Sequence, residues 1–413
     1  MSKLLERFLN YVRFDTQSDE NSDSYPSTEG QRIFAEYLKN ELISIGMKDV
    51  EVDEYSYVFG TLPSNIEKDI PSIGFMAHMD TAPNMSGKDV NPRVVENYDG
   101  KDIVLNEKHN IVLSTKYYPE ILQFVGDSIV VTDGTTLLGA DDKGGVAEII
   151  TAMEYLINHP EIKHGKIRVC FTPDEEIGKG VQYLDPNKFG VKFAYTIDGG
   201  PVGELQYENF NAAKALITIN GVDIHPKEAK GKMKNTILIA NEFINMLPSQ
   251  ERPEYTENYE GFFHLISFGG GVEKTNLYFI IRDFFKESFQ KRKDLMKKIV
   301  DLLNFKYGEG TVEVKIEDTY YNMRDIVEKH MELIDIAKKS MEELGVTPKI
   351  IPIRGGTDGA RLSYKGIPTP NIGTGGYNYH GRYEYIPVSS LEKVTEIITK
   401  LSVIWTDYAI KNY

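Results

Sequence analysis

Two ionisable side chains stand two residues apart where an apolar run ends: His78 and Asp80 in "GFMAHMDTAP", Gly74 to Pro83. Positions i and i+2 of a strand point the same way. The pair is therefore expected to face one direction, an imidazole with a carboxylate behind it, as at a histidine metal ligand and the acid that orients it. A histidine hydrogen-bonded in a loop is the plain alternative. Four more polar clusters fall at the ends of predicted strands or in adjacent loops. They are Asp141 and Asp142 in "LLGADDKGG", Asp174, Glu175 and Glu176 in "TPDEEIG", Asp198 in "YTIDGG", and His380 in "GGYNYHG". Each has an ordinary explanation taken singly: a helix cap, a solvated acidic pair, a turn before Gly-Gly, a structural histidine. As a set they point elsewhere. Loops at the carboxyl ends of strands in an open α/β sheet converge on one crevice. Carboxylates crowded there need a compensating cation. Two histidines and several carboxylates form the donor set of a two-metal hydrolytic centre.

The elements that must position these residues alternate between strand and helix. "DVEV", "SIGFMAH", "SIVVTD", "KIRVCFTP" and "KFAYTID" read as strands. Residues 30–46 and the stretch from Lys143, "KGGVAEIITAMEYLINH", read as helices. That order implies an α/β layer with a parallel or mixed sheet. From Ala213 to Tyr321 the order changes to β-α-β-β-α-β, the split βαβ unit of a ferredoxin-like domain. Afterwards the α/β style resumes, to a final helix near 390–407. The expected organisation is one domain inserted in another: a first catalytic segment 1–210, an insert 211–321, and a second catalytic segment 322–413.

Composition narrows the function. The 413 residues suggest about two domains. Hydrophobic content of 41% and charged content of 26% are those of a soluble globular chain. A net charge of −15 argues against nucleic acid and anionic membranes as partners. The first twenty residues read as an amphipathic helix rather than a signal peptide, and no stretch is long enough to span a bilayer. The single cysteine, Cys170, is expected in a strand core; no internal disulfide can form, which fits a cytoplasmic location.

With "IRGGTDGA" and "TGGYNYHG" added, the motifs resemble, in order, those of the peptidase T family. These are tripeptide aminopeptidases of the two-zinc aminoacylase and carboxypeptidase metallopeptidase clan. The likeness spans essentially the whole chain, including "HPKEAKGKMKN" and "IIRDF" in the insert; "GGYNYHG" and "YYNMR" mark the subgroup. It implies a mixed-sheet two-zinc exopeptidase-like catalytic domain with an inserted ferredoxin-like lid. It also implies two Zn2+ per chain, with Co2+ or Mn2+ able to use the same ligands. By that resemblance His78 and Asp198 bind one metal, His380 and Glu176 the other, and Asp141 bridges both. Asp80 orients His78, Glu175 is the general base, and His225 reaches the substrate carbonyl oxygen. Lys227 departs from the glycine expected after His-Pro, which bears on the placement of the His225 loop.

Physical reasoning supports part of this. Neighbours in an extended segment point opposite ways. One of Glu175 and Glu176 then faces a metal while the other faces its water, whose pKa falls to about 7 on zinc. The hydroxide so formed is the expected nucleophile. Arg354, before a Gly-Gly pair, suits a peptide carboxylate through two parallel hydrogen bonds. Arg282 is a second cation for that task, with a salt bridge to Asp283 as its alternative; Asn378 is expected to bond peptide backbone. The expected function is removal of the N-terminal residue from tripeptides. An N-acyl amino acid deacylase or dipeptidase of the same clan is the alternative, and a catalytically inactive binding protein the remote one. Small peptides are the expected partners, and a homodimer is left open.

Overall fold

The computed structural model describes residues 2–413, which divide into two units. The first comprises residues up to Tyr207, Asp325–Ile351 and Thr357–Tyr413; the second comprises Glu208–Arg324 and Pro352–Gly356. The expected second catalytic segment, 322–413, is thus not continuous. Pro352–Gly356 goes with the second unit because Ile353 exchanges backbone hydrogen bonds with Glu208 and Phe210 there.

The first unit is built on an eight-stranded mixed sheet. Its order is Lys48–Val52, Val58–Leu62, Ile167–Thr172, Ile73–His78, Phe193–Ile197, Asn371–Ile372, Glu204–Gln206 and Lys349–Ile350. Ile73–His78 lies parallel to both neighbours, Ile167–Thr172 and Phe193–Ile197. All six of its residues are buried. A strand covered on both faces is a continuous apolar run rather than an alternating one. On one face Met76 and Cys170 pack with Phe59, Phe189, Ala194 and Leu362. On the other Phe75 stacks on Tyr195, and the helix Ala140–Asn158 lies across the strand. That helix packs in turn on the long C-terminal helix Val388–Asn412. Gly145 sets its closeness to the sheet: a Cβ there would come within 2.3 Å of the Ile197 carbonyl and 2.6 Å of Asp142 Oδ1. A smaller three-stranded sheet, Tyr385–Pro387, Ile129–Val131 and Arg93–Val95, flanks the segment that carries His380.

The second unit is a four-stranded antiparallel sheet, ordered Phe262–Gly270, Lys274–Asp283, Asn211–Asn220 and Val312–Tyr320. In chain order this is strand 2-3-1-4 with two helices, Thr236–Met246 and Lys286–Tyr307, the ferredoxin-like arrangement. Ala213, Ala215, Ile217 and Ile219 are fully buried at every second position of the first strand. They pack with Phe243, Met296 and Leu303 of the helices, so one sheet face supplies the core. Among the described residues no helix is long and apolar enough to cross a membrane.

Candidate metal centre

All five residues expected to bind metal, and both expected catalytic carboxylates, belong to the first unit. His78 is the last residue of its strand, so Asp80 lies just beyond the strand rather than within it. The regular helix after the Asp-Asp pair begins at Lys143, since Asp141 (φ −88°, ψ 102°) and Asp142 (φ −126°, ψ 28°) leave helical geometry. Neither carboxylate caps that helix; Asp141 bonds the two imidazoles and Asp142 the His78 N–H.

The Asp141 carboxylate sits between two imidazoles. Its Oδ1 is 3.0 Å from His78 Nε2 and its Oδ2 is 3.1 Å from His380 Nε2. Asp198 Oδ1 lies 3.7 Å from His78 Nε2, and Glu176 Oε2 lies 3.1 Å from His380 Nε2. The possible ligand atoms of His78, Asp141 and Glu176 fall within 4.8 Å of one another, as do those of His78, Asp142 and Asp198. Asp142 is thus a further donor near the centre that the motif assignment passed over. Its Oδ2 accepts the His78 backbone N–H at 3.0 Å, while its buried Oδ1 has no partner.

Asp80 serves two neighbours. His78 Nδ1 is 3.0 Å from the Asp80 backbone carbonyl and 3.4 Å from its carboxylate. The shorter contact is to the backbone, so the carbonyl is the better acceptor for the Nδ1 proton. The fully buried carboxylate accepts the N–H groups of Glu175 and Glu176 at 2.9 and 3.1 Å. The same loop is held from behind by Asp174, which bonds Ser27 and Gln31. Sequence reasoning named Asp174 only as part of the acidic run; its left-handed φ of 56° marks it as a turn residue.

The residues fit divalent cations. Burial, reinforced by Asp141, raises Asp198 well above its ordinary value and also raises Glu176. Burial likewise pushes Glu175 far up, with His78 opposing it. Glu176 Oε1 is buried and without a hydrogen-bond partner. A bound cation would relieve both the crowding and the orphaned oxygen.

The imidazoles give a pH signature. Burial alone would lower His78, but hydrogen bonds to Asp141 and Asp80 outweigh it and raise the ring well above its usual value. Bonds to Asp141 and Glu176 push His380 up to about 11. Both shifts favour the protonated rings in the metal-free protein, and a ligand imidazole must lose its proton. Metal affinity is therefore expected to rise with pH, about tenfold per unit for each proton displaced. Calorimetry in buffers of different ionisation enthalpy should count at least two protons released per fully loaded chain. Affinity constant from weakly acidic to weakly alkaline pH would contradict this.

His225, Arg282 and Arg354 belong to the second unit. His225 is exposed at the start of a short turn, and its Nδ1 accepts the N–H of Lys227 at 3.3 Å. Arg354 does not present a free fork. Its Nη1 donates to the carbonyls of Asn258 and Glu260 at 2.8 and 3.0 Å, and its Nη2 to Thr256. The guanidinium also lies over Phe210 and Phe262. In this structure Arg354 thus fastens the 256–260 loop. Arg282 does not pair with Asp283, because successive strand residues face opposite ways. Asp283 is taken by Arg292, Ser288 and the Phe285 N–H. Arg282 lies over Tyr320 and donates to the Ile281 carbonyl. In the first unit, Asn378 is in left-handed geometry (φ 57°) and donates to the Tyr383 carbonyl at 3.1 Å, which closes the loop that contains His380.

The sequence model of the family described as Peptidase family M20/M25/M40 matches residues 132–403. A peptidase T of Caldanaerobacter subterraneus subsp. tengcongensis is 59% identical over 401 residues, covering 97% of this chain and 98% of the relative. Among solved structures, a tripeptidase from Staphylococcus aureus subsp. aureus mu50 is 25% identical with a TM-score of 0.78, covering 98% of each chain. The aminopeptidase PepT from Bacillus cereus ATCC 10987 has a TM-score of 0.77 at 24% identity, over 97% of this chain and 98% of that one.

Proposed function

The chain belongs to peptidase family M20/M25/M40, and from that premise we propose that it removes the N-terminal residue from tripeptides at a centre of two divalent metal ions. The observation that carries this is the Asp141 carboxylate between His78 and His380, with a further carboxylate beside each ring. His78, Asp198 and Asp141 would hold one ion, and His380, Glu176 and Asp141 the other, with zinc the first choice. When bound, the ions supply Lewis acidity that polarises the peptide carbonyl and acidifies water.

The protein's own groups do the rest. Glu175 takes a proton from the attacking water and hands it to the amine as the C–N bond breaks. Its raised proton affinity suits a group that must hold that proton between the two steps. Asp80, through the backbone of both glutamates, fixes where Glu175 starts from. His225 is proposed to donate to the substrate carbonyl oxygen, and Arg354, with Arg282 as a second cation, to bind the peptide carboxylate.

Length selectivity tests this. An extended chain rises about 3.3 Å per residue. A fixed partner for the C-terminal carboxylate therefore places one scissile bond correctly for one length. Tripeptides are expected to be hydrolysed well ahead of dipeptides, tetrapeptides and acetyl amino acids. Activity should vanish on chelation and return on metal add-back, and amidation of the tripeptide C-terminus should lower turnover sharply. Preference for acetyl amino acids would make the chain a deacylase; equal rates across peptide lengths and amides would defeat the carboxylate-anchored selectivity.

A further inference from the structure

Glu384 follows His380 by four residues and leads into the strand Tyr385–Pro387. Its side chain belongs to a residue only 2% exposed, and it has no cationic partner among its hydrogen bonds. It accepts three backbone N–H groups: Oε2 from Leu138 at 2.7 Å and Gly139 at 2.9 Å, and Oε1 from Asp141 at 3.1 Å. Gly139 has φ +83°, and a left-handed residue at such a turn aims successive N–H groups at one point, a concave backbone site for an anion. The chain fills that site with its own carboxylate. On its other side Glu384 closes the histidine turn, its N–H donating to the Gly381 carbonyl at 3.2 Å. One residue thereby ties the backbone of Asp141 to the segment that carries His380, and these two side chains meet at 3.1 Å. The His78 half has separate supports, the Asp142 carboxylate on its backbone and Asp80 on its ring.

We propose that Glu384 is a positioning residue that assembles the His380–Asp141–Glu176 half of the centre before any ion arrives. This rests on the two-ion reading above. Two measurements test it, neither using activity. In metal-free wild-type protein, the amides of Leu138, Gly139 and Asp141 should stay protected from hydrogen exchange, because a carboxylate and not an ion holds them. Rapid exchange that only metal suppresses would overturn the proposal, whatever the variants do. The second measurement titrates Co2+ into the metal-free wild type and Glu384→Gln, following the visible absorption of the bound ion. Gln keeps the shape but turns an amide N–H toward backbone donors. One equivalent should bind within a few-fold of wild type, and the other about 10- to 100-fold more weakly, with an altered spectrum. A purely structural role would lower the melting temperature and leave both equivalents unchanged, which would sink the proposal. Wild type taking up fewer than two cobalt ions would instead sink the two-ion reading. Should Glu384→Gln not fold, Glu384→Asp, a carboxylate set back by one methylene, goes through the same titration, and the wild-type exchange result stands by itself.

Discussion

Replacing Glu175 with glutamine is expected to leave two metal ions bound and to lower kcat by at least ~10²-fold, toward ~10⁴-fold. Glutamine keeps the shape and still accepts a hydrogen bond from water, but it cannot take a proton at neutral pH. The Glu176 carboxylate, unlike that of Glu175, pairs with an imidazole: its Oε2 lies 3.1 Å from His380 Nε2. Glu176→Gln should therefore act on the metal: a neutral amide replaces a charged ligand and the ion beside His380 binds more weakly. Metal analysis beside tripeptide hydrolysis on both proteins separates the roles. Metal loss from Glu175→Gln, with Glu176→Gln loaded but inactive, would mean the two glutamates are reversed. Near-normal activity in Glu175→Gln would remove the general base from the mechanism.

The second large effect is expected from Asp141→Ala, which should lose both ions together. Each Asp141 oxygen faces a different imidazole, so one truncation takes a ligand from each site. Retention of one tight ion would argue that Asp141 serves a single metal. Unfolding is a poor explanation for loss of both. Burial is the main reason Asp198 and Glu176 resist ionisation, and repulsion from Asp141 comes next for each. Removing Asp141 from the metal-free protein relieves that repulsion, which offsets the loss of its bonds to His78 and His380. The metal-free variant is expected to melt near the metal-free wild type, while the wild type alone gains stability on adding zinc.

Much of the centre was legible because its parts are local. His78 ends a buried strand, the Asp141–Asp142 pair opens a helix, and Glu175–Glu176 follow another strand; these positions can be read from apolar runs and their breaks. The insert was legible from its order of elements, since its first strand alternates buried and exposed residues. Arg354 was not. Its acceptors are backbone carbonyls nearly a hundred residues away, and every residue type has a carbonyl. Glu384 was missed for the same reason, as its partners are N–H groups near position 139. The one available signal was an acidic residue beside the aromatic stretch "YEYIP". Nor did the spacing of His78 and Asp80 reveal that the aspartate's carboxylate would grip the glutamate loop.

The strand Asn371–Ile372 lies inside the eight-stranded sheet, between Phe193–Ile197 and Glu204–Gln206, yet it is made long after both of them. During synthesis the sheet must wait for it, with two unpaired edges facing each other across a gap. Non-local pairing of this kind slows folding, because the loop must close before the contact forms. Open edges are also where partly made chains stick to one another. A nascent chain halted before residue 371 is thus a candidate for chaperone capture, and it cannot hold the His380 half of the centre. The His380 half of the candidate site is therefore assembled only after Asn371–Ile372 has closed the sheet.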